Sequence, residues 1–190
     1  MIKSLLTALA ICAFSFSNAQ GKINFGAKAG LNLVNLVGDL EGAESKAGIH
    51  FGGMAEISIN DKFSVQPELL FSTQGANAEF GEDTFNLSYI SLPIMAKYYA
   101  TEALSIEVGP QVGFLVNAEE EFEGETFDID EGTHGVDFSL NFGLGYKLAS
   151  GINFSARYNL GLSNVFDFEG EGQDVDVKNS VFQFSIGYFF

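Results

Sequence analysis

The sequence predicts an all-β fold, an eight-stranded antiparallel up-and-down transmembrane β-barrel, from three observations. Eight segments alternate apolar and polar residues with period two, the mark of strands whose two faces meet different surroundings. The connections between them alternate short and long, as in a meander with two unlike ends. One of the two stripes is free of Asp, Glu, Lys and Arg in all eight segments and is too bulky to be an interior.

The first segment runs from Lys22 to Leu33. Ile23, Phe25, Ala27, Ala29, Leu31 and Leu33 alternate there with Lys22, Asn24, Gly26, Lys28, Gly30 and Asn32. The same split recurs over Ala47 to Ile59, Phe63 to Thr73, Ile90 to Tyr98, Leu104 to Val116, Val136 to Leu148, Ile152 to Leu162 and Phe182 to Phe190. Asn60-Asp61, Thr101-Glu102 and Ala149-Ser150-Gly151 have the residue types of tight turns. The other connections, Gly38 to Ser45, Gly75 to Thr84, Asn117 to Thr133 and Ser163 to Asn179, are longer and hold nineteen of the 25 acidic residues. Only Lys46 and Lys178 at their edges offset this charge. Pro67, Pro93 and Pro110 fall inside segments, where each removes a ladder donor, and bulges are expected to accommodate them.

Volume decides which stripe faces out. Eight strands leave an interior just wide enough to be filled by side chains, whereas the uncharged stripe offers roughly three dozen large Phe, Leu, Ile, Val and Tyr residues. The other stripe is rich in Gly, Ser and Asn, which suits a narrow polar lumen and not a water-exposed exterior. A lipid-facing stripe explains the absence of charge, since a cation at the bilayer midplane costs about 2 to 4 kcal/mol. Closure then satisfies every backbone edge.

Composition agrees. A net charge of −16 excludes a nucleic-acid partner, and 46% apolar residues with 20 Phe and 6 Tyr exclude disorder. Lys3, the apolar run Leu5 to Phe16, and Ser17 and Ala19 at the −3 and −1 positions read as a signal peptide over residues 1–19. A barrel domain over 20–190 remains, without Cys12, whose preceding Ile11 argues against lipid attachment.

Five stretches resemble a known group. They are Val65 to Ser72 (VQPELLFS), Tyr89 to Tyr98 (YISLPIMAKY), Val108 to Leu115 (VGPQVGFL), Arg157 to Leu162 (RYNLGL) and Gln183 to Phe190. With the signal peptide they resemble the small outer-membrane β-barrel domain proteins of Bacteroidetes-type bacteria, PorT-like proteins among them. All three prolines lie inside these motifs, and Ser91 departs from the family's frequent Glu. The resemblance implies a bacterial outer-membrane location and no single activity. Phe190 and Tyr188, with Ile186, Phe184 and Phe182 on one face, look like the terminal signal read by outer-membrane barrel assembly machinery.

The lumen stripe carries Lys28, Glu56, Glu68, Lys97, Glu107, Asp137, Lys147 and Arg157, four charges of each sign. Buried charges need partners, so a structural plug of ion pairs is expected, with Lys97 and Glu107 partnered across their tight turn. Exchange of those two charges is expected to restore part of a single-site loss. A proton or ion pathway, and a catalytic carboxylate pair of Glu56 and Glu68, are the alternatives. His50 inside the second segment and His134 at the end of the third loop fit no nucleophilic arrangement, and His50 reads as a hydrogen-bonded filler.

The run Asp167, Glu169, Glu171, Gly172 opens like a calcium loop, but Lys178 stands where its closing Glu belongs. The acidic loops therefore read as a solvated, mobile cell-surface face, with weak divalent-cation binding or bridging to lipopolysaccharide as the alternative. No cofactor and no enzymatic activity are expected. The functional reading is an integral outer-membrane barrel with a plugged polar lumen and acidic extracellular loops, in a structural or surface-interaction role. Its partners would be outer-membrane lipid, lipopolysaccharide and the assembly machinery. A component of envelope transport or secretion, with secretion components as partners, is the alternative, and a lipid-modifying enzyme comes third.

Overall fold

A computed structural model describes residues 22–38, 43–78, 83–122, 125–129, 133–165 and 177–190. The expected signal peptide and the middle of the longer connections lie outside them. Among the described residues ten strands follow in chain order: β1 (Ile23–Gly38), β2 (Ala43–Glu44), β3 (Lys46–Ser58), β4 (Phe63–Ala78), β5 (Asp83–Tyr99), β6 (Leu104–Phe122), β7 (Glu125–Asp128), β8 (Val136–Lys147), β9 (Ile152–Gly161) and β10 (Val177–Phe189).

β1, β3, β4, β5, β6, β8, β9 and β10 pair with their sequence neighbours, and β10 pairs back onto β1, so eight antiparallel strands close a barrel. The first and last strands zip over a long register, from Gly26 opposite Phe189 to Gly38 opposite Val177. Closure removes the edges that lipid cannot hydrate. β2 and β7 are short additions that pair with β4 and β6.

The uncharged stripe faces outward. Phe182, Phe184, Ile186 and Tyr188 of β10 are each about half exposed (48, 51, 55 and 48%), while Gln183 and Ser185 between them are buried. On β4 the outward row is apolar from Phe63 to Phe71 and becomes Thr73, Gly75 and Asn77; on β5 it becomes Ser88, Asn86 and Thr84 above Ile90. That change marks the upper border of the lipid-facing band. Below it the rows run about nine residues, the length a tilted strand needs to span a bilayer. Phe63, Tyr98, Tyr146 and Tyr188 are exposed toward the turn end, where amphipathic rings suit the headgroup boundary.

The tight turns use local devices. The Asn60 side-chain oxygen accepts from the Lys62 and Phe63 amides at 2.9 and 3.0 Å, and Thr101 Oγ1 does the same for Leu104 at 2.9 Å. Gly151 supplies a φ of 92°, which a side chain would resist.

Two expectations need correction. The prolines sit in no bulge: Pro67 opposite Ile94, Pro93 opposite Gln111 and Pro110 opposite Leu140 keep the register of their neighbours. Instead the ladder skips pairs, between Met54/Glu68 and Ile57/Val65, and between Pro93/Gln111 and Ala96/Val108. A missing donor is thus tolerated as a gap because the flanking pairs hold the strands in place. The register shift on β5–β6 lies at Ser88/Tyr89 instead.

The acidic connections are also shorter than expected. β4 and β5 stay paired out to Asn77/Thr84, and Glu119, Glu120 and Glu121 belong to β6, paired with β5 on one side and β7 on the other. Backbone pairing outweighs like-charge repulsion where the side chains can point into water.

Candidate functional site

The lumen is the site, and it is filled in three layers. At the turn end, seven charged side chains form an open chain of alternating sign. Lys147 Nζ lies 3.2 Å from Glu56, Lys97 lies 3.1 Å from Glu56 and 3.3 Å from Glu107, and Arg157 lies 2.8 Å from Glu107. Arg157 also grips Glu68 through two nitrogens at 2.7 and 2.9 Å, and Lys28 lies 3.3 Å from Glu68. Lys97 and Glu107 are directly opposite across β5–β6.

Neutral groups complete the carboxylate shells. Tyr99 donates to Glu56 at 2.9 Å, Gln66 to Glu68 at 2.6 Å and Ser105 to Glu107 at 3.2 Å. Glu56, Glu68 and Glu107 each have two cationic partners, which is what makes their burial tolerable. Glu56 and Glu68 do not meet: Gln66 stands between their partners, donating to Glu68 and accepting from Lys97 at 3.0 Å. The arrangement lacks the poised, unpaired carboxylate that acid–base chemistry needs.

Room for these long side chains comes from glycine. Lys28 stands opposite Gly52 and Gly187, and Gly143 lies between Glu107 and Arg157. A Cβ at Gly145 would overlap the Glu107 carboxylate. Inward glycines beside inward charges were the available sequence signal for this packing. Phe189 closes the layer toward the turn end, with its ring 4.4 Å from Lys147 Nζ and 5.9 Å from Lys97 Nζ. It is 5% exposed and faces opposite to Tyr188 and Phe190.

The middle layer is neutral. His50 lies between Asn32 Oδ1 and Ser185 Oγ, both at 2.7 Å, and Asn32 donates to Ser72 at 3.0 Å. Across the lumen, Asn159 bonds Ser139 and Asn141, and Asn141 bonds Gln111. Ser185, His50 and Asn32 have the connectivity of a nucleophile, base and orienting group. Ser185 is buried, and a Cβ at Gly30 would overlap the imidazole. His134 is exposed.

The third layer, at the loop end, is apolar. Leu36, Ala76, Leu87, Tyr89, Ala118, Val165 and Val177 form one cluster, with Phe85, Leu115 and Ile129 packed against it. Nothing in the strand alternation distinguished the seven cluster positions, because they lie beyond the expected segment ends or in the connections. At the opposite end the barrel opens into a vestibule of about 1280 Å³, walled by Glu56, Tyr99, Lys147 and Phe189 among others. Asp137 faces inward but stands apart from the charged chain, bonded by Ser163 Oγ at 3.2 Å. Among the described residues no group of three or more His, Cys, Asp or Glu side chains could hold a metal.

The comparisons agree with this geometry. Neisserial surface protein A has a similar structure with a TM-score of 0.61 at 14% identity, covering 87% of this chain and 97% of that one. Ail, the attachment invasion locus protein of Yersinia pestis, solved with the heparin analogue sucrose octasulfate, gives 0.52 at 16% identity, covering 89% and 99%. At such identities the likeness concerns the fold. No curated protein matches the sequence. The family model of the outer membrane protein β-barrel domain matches residues 16–167, more than half of the chain. With a closed barrel, an apolar exterior and that match, the chain belongs to the outer membrane protein β-barrel domain family and resides in the bacterial outer membrane.

Proposed function

We propose that this protein is a plugged barrel with a structural or surface-interaction role, presenting its acidic connections outside the cell. One observation carries the reading: the lumen is obstructed twice, by the ion-paired chain around Arg157 and by the apolar cluster around Leu87 and Tyr89. A diffusion pore needs a continuous wet path, and an enzyme needs room for substrate beside its reactive group. Short turns in such barrels are periplasmic and longer connections extracellular, which supports an extracellular acidic end. Its charge favours cationic partners, or lipopolysaccharide bridged by divalent cations, and disfavours a polyanion of the kind bound to Ail. Planar-bilayer recording tests the plug. The expected trace is silent, and stable conductance of porin size would reject it.

The vestibule favours a second reading, a periplasmic docking role in envelope transport or secretion of PorT-like type. It opens at the tight-turn end, periplasmic in this reading, and is sealed above by the apolar cluster. Crosslinking in intact cells followed by mass spectrometry separates the two, because secretion components among the products favour docking and lipopolysaccharide alone favours the surface role.

A further inference from the structure

Asp137 is an inward carboxylate with no cationic side chain to balance it. It is 4% exposed and takes part in no ion pair among the described residues. The connections outside the described residues cannot supply one, since 39–42, 79–82, 123–124, 130–132 and 166–176 contain no Lys, Arg or His. Lys46 is engaged with Phe85 O and Asn86 Oδ1. Lys178 stands on the opposite phase of β10 from buried Asn179 and has interactions of its own. His134, three residues away, is exposed.

Oxygen atoms around Asp137 are unpartnered as well. Ser91 and Asn179 are 2% and 0% exposed, and Ser91 Oγ and Asn179 Oδ1 make no hydrogen bond among the described residues. Gly113 separates Ser91 from Asp137, so that a Cβ placed there would touch both. Asn179 lies beside the Asp137 carboxyl, and its Nδ2 is without a hydrogen-bond partner among the described residues as well. Ser163 Oγ completes the group at 3.2 Å from Asp137 Oδ1.

Buried polar atoms without partners call for an occupant, and a buried anion calls for a cation. We infer that Asp137, Ser91, Ser163 and Asn179 form a binding site for a monovalent alkali cation, of which sodium is the example. One carboxylate among neutral oxygens balances a single positive charge. A hard divalent ion in a dry site needs more anionic ligands or several retained waters. The apolar cluster above the site keeps it from bulk water. A bound cation would tie β5, β8, β10 and the connection after β9 together at the mouth of the barrel.

The test uses the full barrel refolded in detergent and unfolded by urea, with sodium chloride exchanged for choline chloride at constant ionic strength. The unfolding constant should fall about ten-fold when sodium reaches nine times its dissociation constant. Asp137→Asn should remove that response, and Lys97→Ala should keep it despite lower stability. An equal effect of choline and sodium overturns the site, as does an unchanged sodium response in Asp137→Asn. Should Asp137→Asn fail to fold, sodium-23 relaxation on the natural barrel decides. Enhanced relaxation that Ser91→Ala weakens supports the site, and relaxation equal to that of free sodium overturns it.

Discussion

Lys97 and Glu107 offer the sharpest test of the lumen. Lys97 contacts Glu56 and Glu107 at 3.1 and 3.3 Å and donates to Gln66 at 3.0 Å. Glu107 also holds Arg157 at 2.8 Å. At an effective dielectric of about 20, unit charges this close attract by about 5 kcal/mol. Much of that offsets desolvation, but removing one member leaves its buried partners under-compensated, so Lys97→Ala and Glu107→Ala should each cost about 3 kcal/mol, the low end for a broken buried pair. Each partner keeps a second counter-ion, Arg157 for Glu107 and Glu56 for Lys97. The coupling should therefore be about 1 to 2 kcal/mol, within the range of contacting residues.

The assay is urea unfolding of all four forms in detergent, followed by tryptic resistance or intrinsic tyrosine fluorescence. The double mutant should lose less than the sum of the singles. Lys97→Ala combined with Asp137→Asn, which share no partner, should be additive within about 0.5 kcal/mol. Strict additivity of the first pair would mean that this ion pair does not form in the folded barrel. Exchange of the two charges, expected from sequence to restore stability in part, should instead fail. A lysine at position 107 would face Arg157, and a glutamate at 97 would face Glu56.

Three other outcomes are expected. Phe189→Ala should lower stability by about 3 kcal/mol through loss of a buried ring, whereas Phe190→Ala, at 79% exposure, should leave unfolding nearly unchanged and slow insertion into membranes; equal effects on unfolding would contradict the opposite facing of these rings. Gly52→Ala should disrupt β3–β4 pairing because its Cβ would overlap the Leu69 carbonyl, while a Cβ at Gly53 meets only the Gly26 carbonyl at 4.0 Å; matched stabilities would refute the register. Glutamate-specific protease added to whole cells should cut at Glu123 or Glu131 and spare Glu119 to Glu121, which are paired on both sides; cleavage only after the outer membrane is opened would invert the orientation.

Eight strands, their order, the outward face and the membrane itself were legible in the residue alternation. Side-chain period and volume are local properties, and an uncharged stripe too large for an eight-stranded interior leaves lipid as its only surroundings. Lys97 opposite Glu107 was legible for a related reason, since a tight turn propagates register a few residues up its two strands. What lay beyond local reach was everything set across the lumen. Arg157 meets Glu68 although 89 residues separate them, a contact decided by barrel diameter and stagger. The same closure left Asp137 outside the charged chain, set the inward ring of Phe189 beneath Lys97 and Lys147, and gathered Leu36, Leu87, Tyr89 and Val177 into a cap. Alternation reports which face a residue takes, while only the closed barrel decides which inward side chains share a height and can touch.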